Sequence, residues 1–120
     1  MTFTQARTKC NQYGSYLSYP RNDDDGIKLR GLLNEGRHAS WIGADDIEKE
    51  GTWRNVKGED LTYLPWSAGQ PDNMRNQDCA WLGINRNTMK WDDRDCGNQL
   101  NYAVCHKSKI TEGIKITSRK

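Results

Sequence analysis

The sequence predicts an α+β domain. Two helix-type apolar patterns fill its first third, short strand-like segments follow them, and four cysteines are spaced for disulfides rather than for a metal cluster. At 120 residues the chain suits one unit with one core. Leu, Ile, Val and Phe number only 18, which is thin for a core, so five Trp, five Tyr and four Cys must carry part of it. A net charge of +2 is too small to hold the chain open by self-repulsion, which argues against disorder.

The first helix is signalled by Thr2 with Gln5 three residues on, a capping-box spacing, then Phe3, Ala6 and Cys10 on one face and Gly14 as the stop. Because the chain opens straight onto this helix entrance, further residues are expected upstream of Met1. A second helix is expected from Asn22-Asp23-Asp24-Asp25, an acidic start favoured by the helix dipole, with Ile27, Leu29, Leu32 and Leu33 as its apolar face and Gly36 as its end. Segments 40–43, 52–54, 61–63, 79–84, 89–91 and 102–105 then read as antiparallel strands.

Cys10, Cys79, Cys96 and Cys105 show no C-x-x-C spacing and have only His38 and His106 for company, which disfavours zinc. Of the three pairings open to four cysteines, Cys10–Cys105 with Cys79–Cys96 is favoured, because a helix near one end and a strand near the other need tying together. In the chain-entropy account the outer bridge contributes about 4–5 kcal/mol and the inner one roughly 3. That offsets the thin core and places the protein outside a reducing cytosol, as a secreted or extracellular chain.

Mean hydropathy is −1.01, and no apolar run approaches the ~20 residues of a bilayer span, so membrane insertion is not expected. No signal-peptide pattern is visible. A pI near 8.4 without a stripe of interleaved basic and aromatic residues disfavours nucleic acid as a partner. The last residues, 108–120, form a basic tail, and its Lys and Arg opposed by Glu112 alone read as a solvated end.

Between Leu64 and Asp78 lies a polar stretch of a length that compact domains keep for function, containing Pro65, Gly69 and Pro71. It carries Gln70-Pro71-Asp72-Asn73 and then Gln77-Asp78 against Cys79. Trp91-Asp92-Asp93 precedes Cys96, so the inner bridge would gather these oxygens together. Hard divalent cations such as calcium take six to eight oxygens of this type. A cis bond between Gln70 and Pro71 would turn both flanking carbonyl groups to one point.

These residues, with Trp41-Ile42-Gly43, Glu50-Gly51-Thr52-Trp53, Trp66 and the four cysteines in order, resemble a C-type lectin-like domain, closest to the collectin and soluble lectin branches. The resemblance runs from Phe3 to Cys105, so 1–107 is expected to be the carbohydrate-recognition domain. It implies a double-loop α+β fold with the disulfide pairing favoured above. Gln70, Asp72, Gln77, Asp92 and Asp93 are then implied as a principal calcium site, where the ion also coordinates two sugar hydroxyls. Asp46, Glu50, Asn73 and Asp78 are implied as a second, structural calcium site. Three positions depart from the pattern. Gln77 stands for Glu, Asp92 stands for Asn, and the usual first strand is missing, which would leave the edge of residues 102–107 unpaired. The first two departures compensate, since three carboxylates remain, and the site is therefore expected to be active.

The resemblance also bears on the sugar. A cation-bound hydroxyl donates one hydrogen bond and accepts another, so it wants a carboxylate and an amide beside it. Gln70 with Asp72, and Gln77 with Asp92, would each supply that match. Relative to the mannose-type arrangement acid and amide are exchanged in both pairs, whereas the galactose type exchanges only the first. Exchanging both restores the relative phase, so mannose-type equatorial diols are favoured despite the Gln-Pro-Asp motif. Met74 stands where many galactose binders carry a Trp. An alternative reading is a module of this fold that binds protein or ice. Single lectin sites are weak, so several copies acting together as a homo-oligomer are expected, although no heptad or collagen segment appears.

Trp41, Trp53, Trp81 and Trp91 lie in strand-like segments and are read as core. His38 and His106 have no catalytic partner at a suggestive spacing, and no nucleophile or phosphate motif occurs, so no enzyme is expected. Asp92-Asp93 is explained by the ion better than by glycoside hydrolysis. Arg75 and Arg94 flank the site, where they could favour anionic glycans, but flanking arginines are more often solvated and these are read so.

Overall fold

The structure, a computed structural model, describes residues 1–33, 39–71, 77–83, 89–107 and 114–117. Helix α1 (Phe3–Gln12) begins where the capping box puts it. Gln5 N donates to Thr2 Oγ1 at 3.2 Å and Thr2 N to Gln5 Oε1 at 2.8 Å. Its buried face is Phe3, Ala6 and Cys10, as expected, and Gly14 turns the chain away at φ 68°.

Helix α2 (Asp23–Leu32) is capped by Asn22, whose side chain accepts from Asp25 N at 2.9 Å. It closes at Leu33; the expected stop, Gly36, lies outside the described residues. Leu29 and Leu33 are fully buried, but Ile27 is 56 % exposed, contrary to the expected face. Residues advance about 100° each around a helix, so Ile27 and Leu29 cannot share a side, and the stripe through Leu29 instead turns Gly26 and Arg30 inward.

The sheet runs in the order β1 (Tyr16–Leu17), β6 (Tyr102–His106), β2 (Ser40–Asp45), β4 (Cys79–Leu82), β5 (Trp91–Arg94), with β3 (Arg54–Asn55) on β2 and β7 (Ile114–Thr117) on β6. Pairing is antiparallel except between β2 and β6, which makes the sheet mixed rather than wholly antiparallel. β2 is covered on both sides. Trp41 packs with Phe3, Cys10 and Leu17, while its neighbour Ile42 packs with Leu29, Leu82 and Val104 on the other side. Disulfides Cys10–Cys105 and Cys79–Cys96 form as expected, tying α1 to β6 and the start of β4 to the chain beyond β5.

Three strand expectations need correction. Residues 61–63 form no strand; Leu61 N instead donates to Trp53 O at 2.9 Å. The segment expected at 52–54 is β3, one or two residues later. The one expected at 89–91 begins only at Trp91 and runs on to Arg94, which carries Asp92 and Asp93 onto the sheet.

The largest correction concerns the C-terminal region. Residues 114–117 are not a solvated end: they form β7 along β6, from Tyr102↔Thr117 to Cys105↔Ile114, and so pair the edge expected to be bare. The unread signal was Ile114 and Ile116 alternating with polar residues, outweighed by the surrounding charge. Ile116 is 4 % exposed and packs into the cluster of Phe3 and Trp41. Ile116→Ala should therefore cost about 2 kcal/mol in chemical denaturation, whereas a solvated tail would give no change.

Candidate functional site

The long loop is fastened to β5 from Pro65 to Gln70. Trp91 N donates to Pro65 O and Ser67 N to Trp91 O, both at 2.8 Å, and Gln70 N returns to Ser67 O at 2.9 Å. Trp66 sits edge-on to Trp53 and Trp91, at 4.7 and 5.8 Å between ring centroids, which fixes this limb from beneath. Gly69 takes φ 79° and the Gln70–Pro71 peptide is cis, the geometry expected from the sequence.

At the end of this limb, Gln70 Oε1 accepts from the Asp93 backbone N–H at 3.3 Å. Asp93 is 2 % exposed, and Asp92 is half-buried. Asp93 lies opposite Ala80 and Asp92 opposite Trp81, so their side chains leave opposite faces of β5. Gln77 is half-buried just before β4. Thus Gln70 and Asp93 are brought together, while Asp72, Asn73 and Met74, with Arg75 and His38, lie outside the described residues.

Asp46, Glu50 and Asp78 form a tighter group. Each offers an oxygen within 4.8 Å of the others'. The sheet explains the convergence: Asp45 pairs with Cys79 across β2 and β4, so Asp46 just beyond one strand meets Asp78 just before the other, and Asp46 N donates to Asp78 O at 3.0 Å. Gly51 N donates to Asp46 Oδ2 at 2.9 Å. Asp46 Oδ1 and Asp78 Oδ1 are buried with no hydrogen-bond partner among the described residues. Burial first, then the Glu50 and Asp78 carboxyl groups, push the Asp46 carboxyl up to about 7, although the Gly51 N–H opposes this. Asp78 is raised as well, again chiefly by burial. Two buried, donorless carboxylate oxygens in a hard-oxygen group are a set that a calcium-like cation satisfies.

Other residues depart from the sequence reading. Trp41, Trp53 and Trp91 are core, but Trp81 is half-buried and carries the Arg94 guanidinium over its ring at 3.8 Å. Arg94 is therefore not simply solvated. His106 is 5 % exposed against Tyr16 and Tyr19, with Nδ1 unpartnered among the described residues. Burial, with smaller contributions from the Arg21 and Lys57 charges, pushes its pKa down to about 4.

The fold is matched among known proteins. The family model of the Lectin C-type domain matches residues 1–107. The chain belongs to the C-type lectin family. It is 34 % identical over 99 residues to the mannose-binding protein of Gallus gallus, covering 82 % of this chain and 37 % of that protein. It is 42 % identical over 91 residues to lectin BRA-3 of Megabalanus rosa, covering 74 % of this chain and 54 % of that one. The C-type lectin domain thus spans about a third to a half of the length of these relatives. The mouse scavenger receptor C-type lectin carbohydrate-recognition domain superposes with a TM-score of 0.79 at 30 % identity, covering 90 % of this chain and 83 % of that one. A calcium-independent type II antifreeze protein superposes at 0.77 with 20 % identity, covering 88 % and 77 %, a likeness of fold alone. A C-type lectin domain is a binding module, not an enzyme. No described helix is long and apolar enough to cross a membrane.

Proposed function

We propose that this domain is the calcium-dependent carbohydrate-recognition module of a secreted lectin. The observation that carries the reading is the Asp46, Glu50 and Asp78 group, in which two buried carboxylate oxygens have no donor among the described residues. Asn73 would join them around a structural calcium. Gln70, Asp72, Gln77, Asp92 and Asp93 would hold the principal ion. When bound, that ion supplies coordination for two vicinal hydroxyls of a terminal sugar. The chain's own residues do the rest: Gln70 is fastened through the Asp93 amide, and the Trp66 limb fixes its approach.

Mannose-type ligands are the favoured class, because exchanging acid and amide in both hydroxyl-binding pairs keeps the donor and acceptor phase that an equatorial diol needs. Retention on immobilised mannose with calcium and release by a chelator are the expected results. A protein-binding or ice-binding module of this fold shows neither. Free mannose should elute the protein at lower concentration than galactose, and the reverse order would overturn the sugar preference. Gln77→Glu with Asp92→Asn is expected to move that preference toward galactose.

A further inference from the structure

We propose that helix α2 sets the geometry of the principal calcium and sugar face, with Gly26 and Arg30 as positioning residues that hold the two ends of the β4–β5 connection and so aim Asp92 and Asp93. This rests on the reading of the domain as a calcium-dependent lectin and adds residues, remote in sequence from the ligands, on which the same site depends.

The geometry starts from one side of one helix. Asp23, Gly26 and Arg30 are spaced three and four apart and so lie on a single stripe of α2. Each meets a different part of the site's support. Tyr63 Oη donates to Asp23 Oδ1 at 2.7 Å, just before the long loop begins at Leu64. Gly26 lies against Met89, where a Cβ on the glycine would stand 3.1 Å from Met89 Cβ. Arg30 Nη2 donates to the Gly83 carbonyl oxygen at 2.7 Å. The last rung of the β4–β5 ladder is Leu82↔Trp91, so the chain leaves the ladder at Gly83 and comes back to it just after Met89. At its other end the hairpin is closed by the Cys79–Cys96 disulfide. Asp92 and Asp93 lie between these two fixed points, on the strand that ends the sheet order.

Both residues are costly choices for a helix that only packs. Glycine inside a helix is destabilising by about 0.5–1 kcal/mol relative to alanine. A guanidinium on a residue that is 5 % exposed gives up hydration that an apolar side chain would not lose. Leu29 and Leu33 fill the core from the same helix, while these two stand where it meets the hairpin. Glycine lets the helix backbone approach Met89, and a long side chain with a donor at its tip spans the distance to Gly83. An ion is sensitive to such supports, because it wants its oxygens within about 0.2 Å of their preferred distances. The Asp46, Glu50 and Asp78 group, by contrast, is built on the disulfide-bridged end of β4, away from α2's contacts with the hairpin.

The test reads the calcium concentration at half retention of the whole chain on immobilised mannose, or on galactose where that sugar retains it, beside the melting temperature in chelator. Gly26→Ala should raise the calcium midpoint about three-fold, because the new methyl presses Met89 aside. Its chelator melt should stay within about 2 °C, since the helix gain of alanine offsets that pressure. Gly31→Ala, on α2 with open space at its Cβ, should leave the midpoint alone. Arg30→Met should raise the midpoint about ten-fold, the loss expected when an outer support of a metal site is removed, and Arg30→Lys should recover part of it. In an Asp93→Asn background, where the structural ion remains, neither Gly26→Ala nor Arg30→Met should change the rise in melting that calcium gives. A midpoint that Gly26→Ala leaves unmoved overturns the inference, as does one that folded Arg30→Met leaves unmoved, and the lectin reading then stands. Equal losses at the structural ion overturn it too, since α2 would then only stabilise the fold. An unsubstituted chain that neither sugar retains in calcium overturns both. If Arg30→Met does not fold, Gly26→Ala decides.

Discussion

Gly43→Ala is expected to leave little folded protein at 37 °C. A Cβ at this position would overlap the Leu17 carbonyl oxygen and stand 3.2 Å from Val56 Cγ1. Neither neighbour can yield cheaply. Gly43 N donates to Ser18 O at 2.8 Å and Val56 N donates to Gly43 O at 2.9 Å, so the backbone itself is clamped from both sides. Moving Leu17 away would break its pairing with Cys105, which is bridged to Cys10. Overpacking against side chains commonly costs about 1–3 kcal/mol; against backbone held by hydrogen bonds and a disulfide we expect about 4 kcal/mol or more. Gly31 is the internal control. It lies in α2 with nothing near its missing Cβ, so Gly31→Ala should stabilise by about 0.5–1 kcal/mol. If Gly43→Ala melts within a few degrees of the unsubstituted chain, the close approach of β1 to β2 is not what requires glycine in Trp41-Ile42-Gly43.

The features legible in the sequence are those with local chemistry or strict spacing. The Thr2–Gln5 capping box, the Asn22 cap before three aspartates, and the two disulfides each appear as expected. Illegible features depend on partners distant in sequence. β1 is two residues long and carries no periodicity of its own; it exists because Leu17 lies against Cys105. β7 has only two apolar residues, and β6 gives it a place. At the candidate site Asp46 and Glu50 are near in sequence, but Asp78 joins them through the β2–β4 ladder, a convergence that the family resemblance implied and spacing alone did not. The burial of two donorless oxygens, and the seating of Arg94 on Trp81, are tertiary facts with no sequence signal.

Calcium should stabilise the protein strongly at pH 7.5 and hardly at all near pH 5. At a free concentration a hundred-fold above its Kd, a ligand that binds only the folded state contributes about 2.7 kcal/mol. At roughly 3–4 °C per kcal/mol for a domain of this size, melting should rise by about 10 °C relative to chelator. The pH dependence follows from Asp46, whose folded pKa of about 7 stands above its ordinary value of 3.8, with Asp78 raised in the same sense. Without the ion, the folded chain holds more protons than the unfolded one between those values. This contribution is complete below about pH 4 and is lost as pH rises through 7. A cation must displace those protons, so its advantage grows over the same window. His106 works in the opposite direction: its pKa of about 4 lies below the ordinary 6.5, so stability falls as pH drops from 6.5 toward 4, with or without calcium. Subtracting the chelator melt from the calcium melt at each pH cancels His106 and isolates the carboxylates. Asp46→Asn should shrink that difference at pH 7.5 while leaving the chelator melt unchanged or slightly higher, since a buried repulsion is relieved. Calcium and chelator melts that superimpose at pH 7.5 would show that the Asp46, Glu50 and Asp78 group is not a calcium site.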